Sequence, residues 1–143
     1  MKSNNPVESQ KIKHARNVFE QYPVDLVYFF GSRLHQSDLH GESDFDFAVL
    51  FSEDCPVDRR TTLRGEMMDQ LFSIFGKDNV DIIDLERVPL SLRFQAIQPC
   101  EVILCANEPR RVHFETKTTR EFHDVKPSLD RELKHLAGSV GRT

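Results

Sequence analysis

The sequence contains no long apolar run, no internal repeat and no low-complexity tract. No apolar stretch approaches the roughly 20 residues that a membrane-spanning helix needs, and the segment from Met1 to Gln10 is polar, unlike a signal peptide. We therefore expect a cytoplasmic protein. The 143 residues, of which 38% are apolar and eleven are phenylalanine, are enough for one domain with its own core.

Cysteine is scarce as well. The three cysteines, Cys55, Cys100 and Cys105, are an odd number, and no two of them have the spacing of zinc ligands. We expect free thiols, as in proteins of a reducing compartment. The chain also has no Walker phosphate loop and no Ser-His-Asp order, so these routes to nucleotide binding and to acyl transfer are excluded.

An excess of positive charge is missing too. With 19 Lys and Arg against 23 Asp and Glu, the net charge is −4. Residues 109–143 carry a net charge of +3, and residues 1–108 carry −7. A general nucleic-acid-binding protein usually has a net basic surface, so we expect no stable binding to nucleic acid. A phosphate-bearing ligand is compatible with this charge if a metal ion neutralises the phosphates.

Helix and strand patterns alternate along the chain. Helical spacing from Ser9 is followed by two strands, a helix that starts near Asp58 and ends at Gly76, and a strand in residues 79–85. A short helix, a strand in residues 101–105 and a helix from Asn107 follow. Pro127 is expected to break or kink that helix, with Ser128 capping a last one. The order predicts an α/β (α+β) fold with a small mixed sheet flanked by helices. Residues 1–106 are predicted to form the core, and residues 107–143 a helical extension of the same domain.

The stretch from Leu26 to Phe51 carries two neighbouring acids at the start of a strand. Side chains alternate between the two faces of a strand, so Asp44 and Asp46 share one face while Phe45 and Phe47 share the other. Two carboxylates so close repel each other unless something neutralises them. A divalent cation such as Mg²⁺ does so, because it prefers hard oxygen ligands and keeps positions open for substrate phosphates.

Two further features suit the same chemistry. Gly31 and Ser32 follow the preceding strand directly, where glycine lets a phosphate approach the backbone and the hydroxyl and N–H groups hold its oxygens. Asp81 lies in a separate apolar strand, where it serves either as a further ligand or in a salt bridge or cap. Asp84 competes with Asp81, but it lies on the opposite face of that strand, so we favour Asp81.

If the strand of Asp46 pairs with the strand of Asp81, the three carboxylates meet beside the Gly-Ser turn. That arrangement has the ligands for two-metal phosphoryl or nucleotidyl transfer, in which carboxylates bridge two cations roughly 3.5–4 Å apart. Arg33, next to the turn, is either a further phosphate contact or an ordinary solvated arginine. His35 and His40 lie in a polar loop, and we expect solvation rather than metal binding for both.

The block GSRLHQSDLHGESDFDFAVLF, followed by VDIIDL, resembles the minimal nucleotidyltransferases of the DNA polymerase β superfamily. Within them, the chain is most similar to the MNT-type antitoxins of HEPN/MNT toxin–antitoxin pairs. The resemblance implies a polymerase β-like fold with C-terminal helices. It also implies that Gly31 and Ser32 bind the phosphates of ATP, that Asp44 and Asp46 bind Mg²⁺, and that Asp81 is the third carboxylate.

The reaction implied by the resemblance is transfer of AMP from ATP to a tyrosine of a cognate HEPN RNase toxin, which silences the toxin. Two alternatives remain at this stage: an antitoxin that acts by binding alone, and a nucleotidyltransferase whose acceptor is a small molecule or an RNA end. The loop of Arg33 to Ser43 has eleven residues, one more than the family pattern. Homo- or hetero-oligomers are compatible with the sequence.

Overall fold

The structure of the protein is a computed structural model that describes residues 6–31, 45–77, 79–98 and 101–141. The elements follow in the order α1 (Pro6–Phe19), β1 (Val24–Gly31), β2 (Phe45–Phe51), α2 (Arg60–Phe75), β3 (Val80–Asp84), α3 (Leu90–Ile97), β4 (Glu101–Cys105) and α4 (Glu108–Gly141), and a 3-10 turn at Val57–Arg59 precedes α2. None of the helices in these ranges is both long and apolar enough to cross a bilayer.

Four strands form one mixed sheet in the order β3-β2-β1-β4. β1 lies antiparallel to β2 and to β4, whereas β2 and β3 are parallel and are joined through α2. The strand of Asp46 therefore pairs with the strand of Asp81, which is the condition under which their carboxylates meet. Because β2 and β3 run the same way, their first residues meet at one end of the sheet, where β1 ends.

The fold has three layers, because helices cover both faces of the sheet. On one face α1 and α2 pack on the strands through apolar side chains, which in the sheet include Phe47, Val49 and Phe51. On the other face α3 and α4 pack on a smaller cluster that includes Ala48 and Leu50. This alternation along β2 is the one predicted from its sequence. Most phenylalanines of the chain lie between the sheet and the helices α1 and α2. The ring centroids of Phe45 and Phe75 are 4.4 Å apart there.

The end of α2 follows its predicted sequence signal. Gly76 has a φ of +94°, in the left-handed region that glycine adopts without strain, and its N–H donates to the carbonyl of Phe72 at 2.8 Å. A side chain at Gly76 would also meet Asn79, whose Nδ2 lies 3.1 Å from the position of a Cβ. Met67, near the middle of α2, is fully buried.

The C-terminal part differs from the prediction in one respect. Instead of two helices divided at Pro127, α4 is one continuous helix of 34 residues that contains Pro127. A proline inside a helix removes one N–H bond, to the carbonyl four residues earlier. Residues 123–128 are exposed to solvent, so water can satisfy that carbonyl, and the helical turns on both sides continue through the site.

Candidate active site

Three of the predicted site residues lie in one row across the sheet. Gly31 at the end of β1 pairs in register with Asp46 on β2, and Asp46 pairs in register with Asp81 on β3. Residues that pair in register point to the same face, so the two carboxylates lie side by side. The face is that of Ala48 and Leu50, which α3 and α4 cover further along the sheet.

Asp46 is completely buried, with 0% of its surface exposed. Its burial follows from its position, because β2 lies between β1 and β3 and is apolar on both faces beyond this residue. Carboxylates are the ligands that Mg²⁺ prefers, and a pair of them in adjacent register suits this ion. The described row therefore has the donor chemistry of the predicted metal site.

The other predicted residues, Ser32, Arg33 and Asp44, lie outside the described residues. Within the ranges that the structure describes, no three His, Cys, Asp or Glu side chains cluster in a way that could hold a metal ion. The predicted ligand set of Asp44, Asp46 and Asp81 therefore has two members in the described part of the chain.

Asp81 is held by two donors. Its Oδ1 accepts a hydrogen bond from Nη2 of Arg64 at 2.8 Å and one from the backbone N–H of Ile82, also at 2.8 Å. The salt bridge that was weighed against a ligand role for Asp81 is therefore present. Asp84 pairs in register with Val49, on the opposite face, and its Oδ1 accepts the N–H of Glu86 at 3.0 Å. Asp81 therefore shares the face of Asp46, whereas Asp84 lies on the opposite face.

A cleft of about 280 Å³ runs along the outer edge of β3. Asp81 and Arg64 line one part of it, and Thr61 and Arg87 line another. Arg87 donates to the hydroxyl of Thr61 at 3.0 Å, which links the end of β3 to the first turn of α2. The cleft gives solvent access along β3 up to Asp81.

Further along the same face of the sheet, the buried hydroxyl of Tyr28 connects β1 to α4. Tyr28 pairs with Ala48, which lies two residues after Asp46 on the same face of β2, and its hydroxyl donates to Oε2 of Glu115 at 2.6 Å. Burial, and then this hydrogen bond, raise the pKa of Tyr28 far above its usual value, so the hydroxyl keeps its proton. Glu115 also accepts from Arg111 on the previous turn of α4.

A family model described as polymerase beta nucleotidyltransferase matches residues 10–109, which is more than half of the chain. The chain belongs to this nucleotidyltransferase family. The match spans the four strands, the first three helices and the whole carboxylate row, and it ends as α4 begins. Among curated protein sequences, no significant relative is found.

Solved structures of similar fold come from toxin–antitoxin complexes. One is a complex of a tri-AMPylated HEPN toxin from Shewanella oneidensis with an MNT antitoxin, at a TM-score of 0.69 and 19% identity over 91% of this chain and 98% of the other. A second is the MntA-HepT complex, with a TM-score of 0.67 and 18% identity over 90% and 98%. A third, a toxin–antitoxin with AMP-PNP, has a TM-score of 0.64 and 22% identity over 90% and 97%. At these identities the likeness shows that this nucleotidyltransferase shares their fold, including the four-stranded mixed sheet.

Three residues of the site region were not predicted from the sequence. Arg64 lies on a polar part of α2 and looks like any solvated arginine, and its contact with Asp81 depends on the packing of α2 against the sheet. Tyr28 lies in the predicted apolar strand and Glu115 in the predicted helix that starts at Asn107, and neither pattern indicates the hydrogen bond between them. The one available signal was Tyr28 itself, because a tyrosine hydroxyl in a buried strand usually needs a hydrogen-bond partner.

Proposed function

We propose that this nucleotidyltransferase moves AMP from ATP to a tyrosine of a cognate HEPN toxin and releases pyrophosphate, with Mg²⁺ as cofactor, and so acts as the antitoxin. The observation that carries the proposal is the register that sets Asp46 beside Asp81, next to Gly31, in a chain of this family. The similar complexes described above, one with an AMPylated toxin and one with AMP-PNP, support the protein acceptor and the nucleotide.

Each predicted site residue has a part in the proposed reaction. Asp44, Asp46 and Asp81 would hold Mg²⁺, and Asp81 would also orient the attacking hydroxyl of the acceptor. The backbone at Gly31, with Ser32 and Arg33, binds the phosphates of ATP, where the lack of a side chain on glycine allows close approach. When bound, the metal neutralises the triphosphate and the charge that develops at the reacting phosphorus.

The test requires a HEPN-type reading frame with an R-x4-H-x-Y motif beside this gene, whose product is the expected acceptor. The two proteins are incubated with ATP and Mg²⁺, and the intact mass of the toxin is followed. We expect the mass increment of AMP with the parent protein. The double variant Asp44→Asn, Asp46→Asn should lower the rate more than about 100-fold, since loss of one electrostatic stabiliser of a transition state typically costs that much.

Asp84→Asn is the matched control, because this residue lies on the opposite face and asparagine can still accept the N–H of Glu86. Its rate should stay within about twofold of the parent rate. If the double variant modifies the toxin as fast as the parent does, the assignment of the aspartates is wrong. If it silences the toxin without modifying it, neutralisation proceeds by binding alone.

A further inference from the structure

Arg64 of α2 forms a direct hydrogen bond to the carboxylate row, through Asp81. Its Nε donates to the carbonyl of Ile82 at 2.5 Å while its Nη2 donates to Oδ1 of Asp81 at 2.8 Å. The N–H of Ile82 donates to the same Oδ1. One guanidinium therefore contacts a backbone carbonyl and the neighbouring carboxylate at once, as its planar, fork-like array of donors allows.

The backbone that carries Arg64 is fixed by the core. Leu63, one residue before it, is 7% exposed, and Met67, one turn later, is fully buried against the sheet. β3 is the outer strand, and Ile82 turns its N–H and carbonyl away from β2, because the carbonyl of Asn79 and the N–H of Leu85 make the bonds to β2. The guanidinium thus reaches over the sheet edge from a rigid helix to a rigid strand.

We propose that Arg64 is a positioning residue for Asp81, holding its carboxylate in the orientation that the nucleotidyl transfer requires. This inference rests on the proposed function, from which it takes Asp81 as a functional carboxylate. Hydrogen bonds between ionised partners are short and strong, and two bonds to Oδ1 fix the rotation of the carboxylate. Displacing a reacting group by about 1 Å can cost roughly 100-fold in rate, so such a clamp affects catalysis directly.

A purely structural role is the competing explanation. Arg64 also satisfies the outward carbonyl of Ile82, and covering the groups of an edge strand protects a sheet from pairing with other chains. In that case the loss of Arg64 would change stability or association, and its effect on the reaction would not depend on Asp81. The two roles are separable by a double-mutant cycle.

The cycle consists of Arg64→Met, Asp81→Asn and the double variant, assayed for AMP transfer to the toxin. Arg64→Met should lower kcat by about 10- to 100-fold, the usual cost of losing a group that orients a ligand, with the KM for ATP changed less than about threefold. In the Asp81→Asn background, Arg64→Met should have no further effect. Arg64→Lys should keep part of the rate, since lysine can bond the carboxylate but lacks the fork for both contacts.

Arg87→Met is the matched control. Arg87 lines the same cleft and also bonds α2, through Thr61, but does not contact Asp81 in the structure. Its kcat should stay within about twofold of the parent value. Thermal unfolding of each variant shows that it is folded at the assay temperature. The inference is overturned if Arg64→Met keeps or exceeds the parent kcat, or if its effect is as large with Asn at position 81 as with Asp.

A second readout does not depend on the toxin. Mn²⁺ binding to the protein with AMP-PNP is titrated by electron paramagnetic resonance, and Arg64→Met should weaken it about tenfold, as Asp81→Asn does, while Arg87→Met leaves it unchanged. If the parent protein transfers no AMP to the toxin, the proposed acceptor fails, and this titration still decides on Arg64. Equal Mn²⁺ binding by the parent and by Arg64→Met would overturn the inference, and so would equal binding by the parent and by Asp81→Asn.

Discussion

Tyr28 carries a polar atom into the apolar contact between the sheet and α4. The residue is 1% exposed, and its hydroxyl reaches Glu115, which in turn accepts from Arg111 on the helix surface. A buried hydroxyl without a partner costs free energy, whereas a hydrogen bond to a carboxylate is stronger than one between neutral groups. The pair therefore stabilises the position of α4 along the sheet as well as the fold.

Replacing Tyr28 by phenylalanine should lower the free energy of unfolding by about 2 kcal/mol, since hydrogen bonds to charged groups contribute roughly that much. Urea unfolding measures the change. Tyr22→Phe is the control, because the hydroxyl of Tyr22 accepts only from the neutral amide of Gln70, at 2.5 Å, nearer the surface. Its loss should cost about 1 kcal/mol. If both variants lose the same free energy of unfolding, the hydrogen bond from Tyr28 to the charged Glu115 is no stronger than the one between neutral groups at Tyr22.

The two described cysteines differ in the way that they are protected. Cys55 is buried at 4% exposure, whereas Cys105 is half-buried and its thiol donates to Oε2 of Glu108 at 3.1 Å. Burial, and then this hydrogen bond, raise the pKa of Cys105 above its ordinary value. At a given pH less of the thiol is ionised, and the thiolate is the reactive form.

In a Cys100→Ser background, Cys105 should therefore react with a disulfide reagent at pH 8 more slowly than free cysteine does. Glu108→Gln removes the carboxylate that favours the protonated thiol, so the rate should rise and the midpoint of its pH profile should move to lower pH. Cys55 should react only when the protein unfolds. A rate for Cys105 that is unchanged by Glu108→Gln would show that the hydrogen bond has no part in its protection.

At the scale of elements, α4 is far longer than the sheet that it packs on. A helix of 34 residues is about 51 Å long, whereas the eight residues of β1 span about 27 Å. In its first half, Thr118 is 2% exposed and Phe122 stacks on Phe94 of α3 at 4.0 Å between centroids. Leu133, in the second half, is 64% exposed.

A chain that ends at Lys126 should keep the stability of the full chain within about 0.5 kcal/mol, because exposed residues away from caps and cores contribute little. A chain that ends at Thr116 also loses Thr118 and Phe122, and removal of a packed phenylalanine typically costs about 3 kcal/mol or more. Urea unfolding of both chains measures the difference. A large loss in the longer chain would mean that the second half of α4 stabilises the domain.

Local sequence patterns predicted most of the helices and strands. They did not predict features that depend on contacts between residues far apart in the chain. The two faces of β2 were readable because strand alternation has a period of two residues, so Phe47 and Ala48 were assigned correctly. The register that places Asp46 beside Asp81 joins residues far apart in the chain. Local patterns do not predict such a pairing, so the meeting of the carboxylates was stated only for the case that the two strands pair. The path of α4 through Pro127 was predicted wrongly, because exposure, which is a property of the whole fold, lowers the cost of that proline.

At the scale of the whole molecule, an ionic network lies at the end of the sheet opposite to the carboxylate row. There Arg110 of α4 forms a salt bridge with Asp25 at the start of β1, at 2.9 Å, and donates to the carbonyl of Phe51 at the end of β2. Glu86, after β3, lies 3.8 Å from Arg110 and 2.6 Å from Arg60 of α2. One network thus connects three strands and two helices, about one strand length from Asp46.

Arg110→Met should lower the free energy of unfolding by about 3 kcal/mol, because it leaves Asp25, whose side chain is only 15% exposed, without its counter-charge. Adding Asp25→Asn to that variant should restore part of the loss, since the remaining buried charge is then removed. Binding of AMP-PNP with Mg²⁺, measured by calorimetry below the unfolding transition, should stay within about twofold of the parent affinity, because the end of the sheet that carries Asp46 and Asp81 is held separately through the core and Arg64. A loss of AMP-PNP affinity as large as the loss of stability would mean that the two ends of the sheet are coupled.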